Sequence, residues 1–160
     1  MVIEVLVVEN NTEDAELIAR ALLKTTPSAS VQLAQNGTAA LDWLFGTGIH
    51  LNRTSAPVPR LILISLALPN NGGVELLRIL KSYARTRTIP IVLLTSPSVR
   101  PAVLQAAQHF QLSANSTISK SGDRAEFARA ISLAGAYWLT VDQSSNVTGN
   151  PPPDDKHSQV

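Results

Sequence analysis

The chain has 160 residues, 44% of them hydrophobic and 16% charged, with a formal net charge of +1 and no cysteine. That length supports one compact domain with a proper core and does not stretch to two. The near-neutral balance provides no broad field for nucleic acid or an anionic membrane, and a chain without thiols has no disulfide framework and no thiolate metal site.

Met1 leads directly into a mostly apolar strand, Val2 to Val8, that contains Glu4, with no basic leader or small-residue cleavage site. A soluble, cytoplasmic protein is therefore expected. Asn11-Thr12-Glu13-Asp14 supplies capping oxygens and first-turn acids for a helix running to about Leu23. Val31 to Ala34 reads as a short strand, Asn36-Gly37 as a turn, and Ala39 to Phe45 as a helix with Leu41, Leu44 and Phe45 inward. Gly46, Gly48, Pro57 and Pro59 break up residues 46–59 into a loop. The apolar run Leu61-Ile62-Leu63-Ile64 closes on Ser65, and Gly72-Gly73 beyond it is expected to supply a turn of positive φ.

A third helix is predicted from Val74, with Leu76, Leu77 and Leu80 at helical spacing, and it ends before Thr88-Ile89-Pro90 opens the strand Ile91 to Thr95. Pro101 suits the first turn of a fourth helix, whose Val103, Leu104, Ala107 and Phe110 share a side. A weaker strand, Ser116 to Ser119, and a last helix from about Asp123 to Trp138 complete five strand-helix pairs. Residues 1–142 form the expected domain. Residues 143–160, with three successive prolines and almost nothing apolar, read as a disordered tail. No apolar run approaches the roughly 20 residues of a membrane-spanning helix. The arginines at 78, 85, 87 and 100 are scattered, which argues against a nucleic-acid interface.

Apolar strands alternating with amphipathic helices predict an α/β fold, a doubly wound five-stranded parallel sheet of order 2-1-3-4-5. Ligands in such folds sit beyond the carboxyl ends of the strands. That rule singles out Glu9, Asn10, Ser65, Thr95 and Lys120, each at the carboxyl end of a predicted strand.

Val7-Val8-Glu9-Asn10-Asn11, Leu68-Pro69-Asn70-Asn71-Gly72-Gly73, Leu94-Thr95-Ser96 and Ile118-Ser119-Lys120 follow one another in an order and spacing that resemble response-regulator receiver domains. The resemblance covers about residues 2–141. The ending Tyr137-Trp138-Leu139-Thr140-Val141 is similar to the last helix of the subgroup associated with bacterial phytochromes. The resemblance implies a two-component pathway, a histidine kinase partner, here of the bacteriophytochrome type, and homodimerisation through helix four, strand five and helix five. Tyr137, Trp138, Leu139 and Val141 are the expected interface anchors.

It also implies a Mg²⁺ site made by a first-strand acid, an acceptor aspartate and a backbone carbonyl. The corresponding positions here are Asn10, Ser65 and Ala67, so only Glu9 offers a carboxylate and Mg²⁺ binding is expected to be weak or absent. A protonated serine hydroxyl is no acceptor for a histidine kinase, and none of His50, His109 and His157 belongs to the constellation; His109 reads as a helix-surface residue. The switch position carries Thr117, too small to act as a rotating ring, and Ser121 after Lys120 favours a trans bond where the family has a cis proline. Lys120 is expected to pair with Glu9, and Thr95 to hydrogen-bond locally. The main expectation is therefore a stand-alone pseudo-receiver with no enzymatic activity and no cofactor, acting through protein-protein contact. The alternative keeps a switch, operated by phosphorylation of Ser65 or by a small ligand near Lys120.

Overall fold

The computed structural model describes residues 3–46, 58–110, 116–120 and 122–140. Five strands and five helices alternate: β1 Ile3–Val8, α1 Thr12–Thr25, β2 Ala29–Ala34, α2 Gly37–Phe45, β3 Leu61–Ser65, α3 Gly72–Ser82, β4 Ile91–Thr95, α4 Pro101–Phe110, β5 Ser116–Ser119 and α5 Arg124–Thr140. All pairings are parallel and the order is β2-β1-β3-β4-β5, as the alternation of elements predicts.

The sheet is covered on both faces, and the alternation of side chains along each strand assigns them. Leu6, Val8, Ile62, Ile64, Ile91 and Leu93 point into one core, closed by Trp43 and Leu44 of α2 and Leu76, Leu77 and Leu80 of α3. Val5, Val7, Leu61, Leu63, Val92 and Leu94 point into the other, closed by Ile18 and Leu22 of α1 and by Phe127, Ile131 and Trp138 of α5. Central β3 has every residue buried, including Ser65. That explains why its sequence is a continuous apolar run with no alternation.

Local chemistry sets the helix starts. Asn11 caps α1, its side-chain oxygen accepting from the Asp14 amide at 2.9 Å. Asn36 does the same for α2, accepting from the Ala39 amide at 2.8 Å. The Asn36-Gly37 pair, expected as a turn, is thus a cap followed by the first helical residue, which moves the start of α2 back from Ala39 to Gly37. Similarly α3 begins at Gly72 rather than Val74.

The positive φ expected at Gly72-Gly73 lies two residues earlier. Asn70 and Asn71 carry it, with φ 59° and 56°, in the short 3-10 turn Pro69–Asn71. Asparagine tolerates the left-handed region better than most residues. The glycines serve a different need: a Cβ on Gly73 would fall well inside 3.0 Å of the Ser65 carbonyl oxygen and 3.2 Å from Leu66 Cα. Residue 73 lacks a side chain because the first turn of α3 lies directly on the end of β3.

Candidate functional site

The parallel ladder brings the strand ends together at one edge. The Glu9 amide donates to the Ala34 carbonyl at 2.9 Å, Leu66 to Leu94 at 2.8 Å, and Lys120 to Thr95 at 2.7 Å. Those bonds align Glu9, Ser65, Thr95 and Lys120 side by side beyond the carboxyl ends of four neighbouring strands, where a doubly wound sheet places its ligands. Asn10 follows at the same edge but is exposed.

Glu9 and Ser65 are buried, at 2% and 0% exposure. A buried carboxylate needs a counter-charge and hydrogen bonds. Glu9 has both: Oε1 accepts from Lys120 Nζ at 2.5 Å and Oε2 from the Asn11 amide at 3.1 Å. Ser65 Oγ accepts from the Ala67 amide at 3.2 Å, a local serine turn, and lies 3.4 Å from Lys120 Nζ. The expected pairing of Lys120 with Glu9 is present. Thr95 takes part through its backbone carbonyl, the acceptor for Lys120.

Two residues join the site that the sequence did not single out. Asp14, in the first turn of α1, accepts from Lys120 Nζ at 3.1 Å through Oδ2 and from Arg124 at 2.7 Å through Oδ1. Burial pushes the Asp14 carboxyl up, but the hydrogen bonds from Arg124 and Lys120 outweigh it and hold the group below its ordinary value. Arg124 opens α5 and lies over the Phe127 ring, 5.9 Å from its centroid. From the sequence Asp14 reads only as a first-turn acid. The clue was its place four residues beyond Asn10, on a helix that starts at the ligand edge of the sheet.

The four charged groups, two carboxylates and two cations, balance. The residues fit a divalent cation poorly: both Glu9 oxygens are engaged, Ser65 is a neutral hydroxyl already bonded to Ala67, and Asn10 is a carboxamide. Among the described residues no group of three or more carboxylate, histidine or cysteine side chains could hold a metal ion.

The family model for the response regulator receiver domain matches residues 5–132. The chain belongs to the response regulator receiver family. It is 30% identical over 140 residues to a probable methanogenesis regulatory protein, FilR2, of Methanothrix harundinacea, covering 88% of this chain and 86% of that one. It is similar in structure to the phosphorylated cyanobacterial phytochrome response regulator RcpA, with TM-score 0.75 and 27% identity over 88% of this chain and 96% of that one. The bacteriophytochrome response regulator AtBRR is 32% identical, with TM-score 0.66 over 89% and 99% of the two chains. The phytochrome-associated likeness suggested by the last helix is thus shared by solved structures. The chain is a receiver-type response regulator of two-component signalling.

The remaining expected positions are distributed as follows. Thr117 lies on β5, half-buried and in register with Leu93. Trp138 and Leu139, expected as interface anchors, are each 3% exposed and lie within the chain's own core, so their rings and methyls are already committed. Tyr137 is half-buried and stacks edge-on against Trp138 at 4.9 Å. Val141, the bond to Ser121, His50, His157, the side chain of His109 and the segment 143–160 lie outside the described residues. No helix among the described residues is long and apolar enough to cross a membrane.

Proposed function

We propose that this receiver-type regulator works as a pseudo-receiver, a protein-binding module held in one conformation without aspartyl phosphorylation and without Mg²⁺. The observation that carries the reading is Ser65: a neutral, fully buried hydroxyl stands at the end of the central strand, its oxygen accepting from Ala67 while Lys120 is engaged by two carboxylates. Phosphoryl transfer to this position needs an ionised nucleophile and a metal to neutralise developing charge. The residues supply neither. A histidine kinase of the bacteriophytochrome class is the proposed partner, supported by the likeness to RcpA and AtBRR. Binding would use surface complementarity, and a homodimer would draw on Tyr137 and the outer face of α5.

The alternative in which a serine kinase modifies Ser65 meets an obstacle in the same observation, since a fully buried hydroxyl is reachable only after the strand edge opens. The test is intact-mass measurement after incubation with acetyl phosphate and Mg²⁺, and separately with a bacteriophytochrome kinase. The expected spectrum shows no added phosphoryl group. A mass gain mapped to any residue of the pocket overturns the proposal.

A further inference from the structure

We infer that the ammonium of Lys120 is the resident cation of this site, held by Glu9 and Asp14 where a metal-dependent site would hold a divalent ion, and that Asp14 couples it to Arg124 and so fixes the start of α5. The inference rests on the pseudo-receiver reading and adds a mechanism by which the pocket stays closed.

Lys120 Nζ is a three-donor group with three acceptors within reach: Glu9 Oε1 at 2.5 Å, Asp14 Oδ2 at 3.1 Å and Ser65 Oγ at 3.4 Å. Its side chain is only 10% exposed, and the Glu9 and Asp14 side chains are 1% and 14% exposed. An ammonium so placed satisfies two largely buried carboxylates that would otherwise repel each other and draw in a cation. Charge balance agrees. Carboxylates at positions 10 and 65 would add two negative charges, the amount a divalent ion neutralises; with Asn10 and Ser65 in place, Lys120 and Arg124 balance Glu9 and Asp14 with nothing left over.

The second half follows from connectivity. Glu9 follows β1, Lys120 follows β5, Asp14 lies in the first turn of α1 and Arg124 is the first residue of α5. Asp14 gives one oxygen to each cation, so the four groups tie two strand ends to two helix starts. Farther along the same helix pair, Ser132 Oγ donates to the Ala21 carbonyl at 2.9 Å, and a Cβ on Gly135 would come within 2.8 Å of Leu22 Cδ2. The amino-terminal tie therefore meets a close-packed seam, and α5 is held to α1 at its start and again past its middle.

The test uses the full chain and thermal melts with and without millimolar MgCl₂ or MnCl₂. The wild type is expected to show no metal-dependent change in Tm. Lys120→Met, which keeps the stem and removes the charge, is expected to lose on the order of 10 °C in Tm, and to regain part of that loss with metal as the freed carboxylates accept a cation. A metal-dependent rise in the wild type, a Lys120→Met variant as stable as the wild type, or a destabilised variant that metal does not rescue each overturns the inference. If Lys120→Met does not fold, Arg124→Ala decides: amide exchange in the first two turns of α5 should accelerate, and unchanged exchange there overturns the coupling. A phosphodonor-dependent mass gain in the wild type would defeat the functional reading instead, so the two failures are distinguishable.

Discussion

Replacing Gly73 by alanine tests whether the close seat of α3 on β3 holds the site edge in place. The added Cβ would fall well inside 3.0 Å of the Ser65 carbonyl oxygen, 3.2 Å from Leu66 Cα and 3.3 Å from the Ser65 carbonyl carbon. All three are backbone atoms at the end of the central strand or one residue past it, and β3 is paired on both sides, so the strand has little room to yield. The helix must retreat, and overpacking of this kind costs about 1–3 kcal/mol or somewhat more. Alanine recovers about 1 kcal/mol of helix propensity over glycine. Because every close contact is to backbone, the upper end of that range applies and the net expectation is a destabilisation of about 2 kcal/mol. Gly72→Ala is the matched control: its φ of −61° is already helical and its Cβ would meet the Leu68 side chain, Cβ at 3.4 Å and Cδ1 at 3.9 Å, rather than backbone. There the loss of unfolded-state freedom should dominate and stabilise by about 0.4–1 kcal/mol. Urea midpoints for the two variants should therefore move in opposite directions. A Gly73→Ala protein as stable as the wild type, or more so, would show that α3 can ride outward freely and that the strand edge is not fixed as described.

Three further outcomes are expected. Trp138→Ala should cost about 3–5 kcal/mol because the ring fills the core between α1 and α5. Trp138→Phe should cost less, since a ring still fills most of the space while the loss of an indole N–H that is buried without a partner among the described residues costs nothing; equal urea midpoints for the two would contradict that packing. Tyr137→Ala tests the proposed homodimer: sedimentation velocity should show the wild type as a dimer and the variant shifted toward monomer, and a monomeric wild type or an unchanged dimer argues against this face. Stability should fall in acid through Asp14: its folded pKa lies below the unfolded value of about 3.9, so its contribution is complete above that pH and is lost as pH drops through the folded pKa. Asp14→Asn should flatten this part of the acid limb, measured by urea titrations below about pH 5 against the wild type; an unaltered slope would show that Lys120 and Arg124 do not hold the carboxylate.

The strands that cross the middle of the sheet were legible because burial on both faces leaves them no polar residue before the last. Leu61 to Ser65 and Ile91 to Thr95 could be bounded to a residue from the sequence, and with them the alignment of Glu9, Ser65 and Lys120. Positions set by local backbone chemistry were harder. Asn36 caps a helix where a turn was expected, and Asn70 and Asn71 carry the left-handed conformation that glycine ordinarily signals. Gly73 is small for a reason visible only in three dimensions, because nothing in its neighbourhood announces a strand end beneath it. Asp14 and Arg124 were missed for a related reason: each suits the end of a helix unaided, and only the packing of α1 beside α5 makes them partners.

Glu9 occupies its place by reach as much as by charge. One oxygen serves the backbone at the start of α1 and the other serves an ammonium arriving from the far side of the sheet. A side chain one methylene shorter would have to abandon one of those duties, either loosening the entry to the helix or leaving the lysine to Asp14 alone. The ladder through β3 and β4 sets the level of the strand ends, and the span of a single glutamate closes the distance that remains between β1 and the lysine after β5.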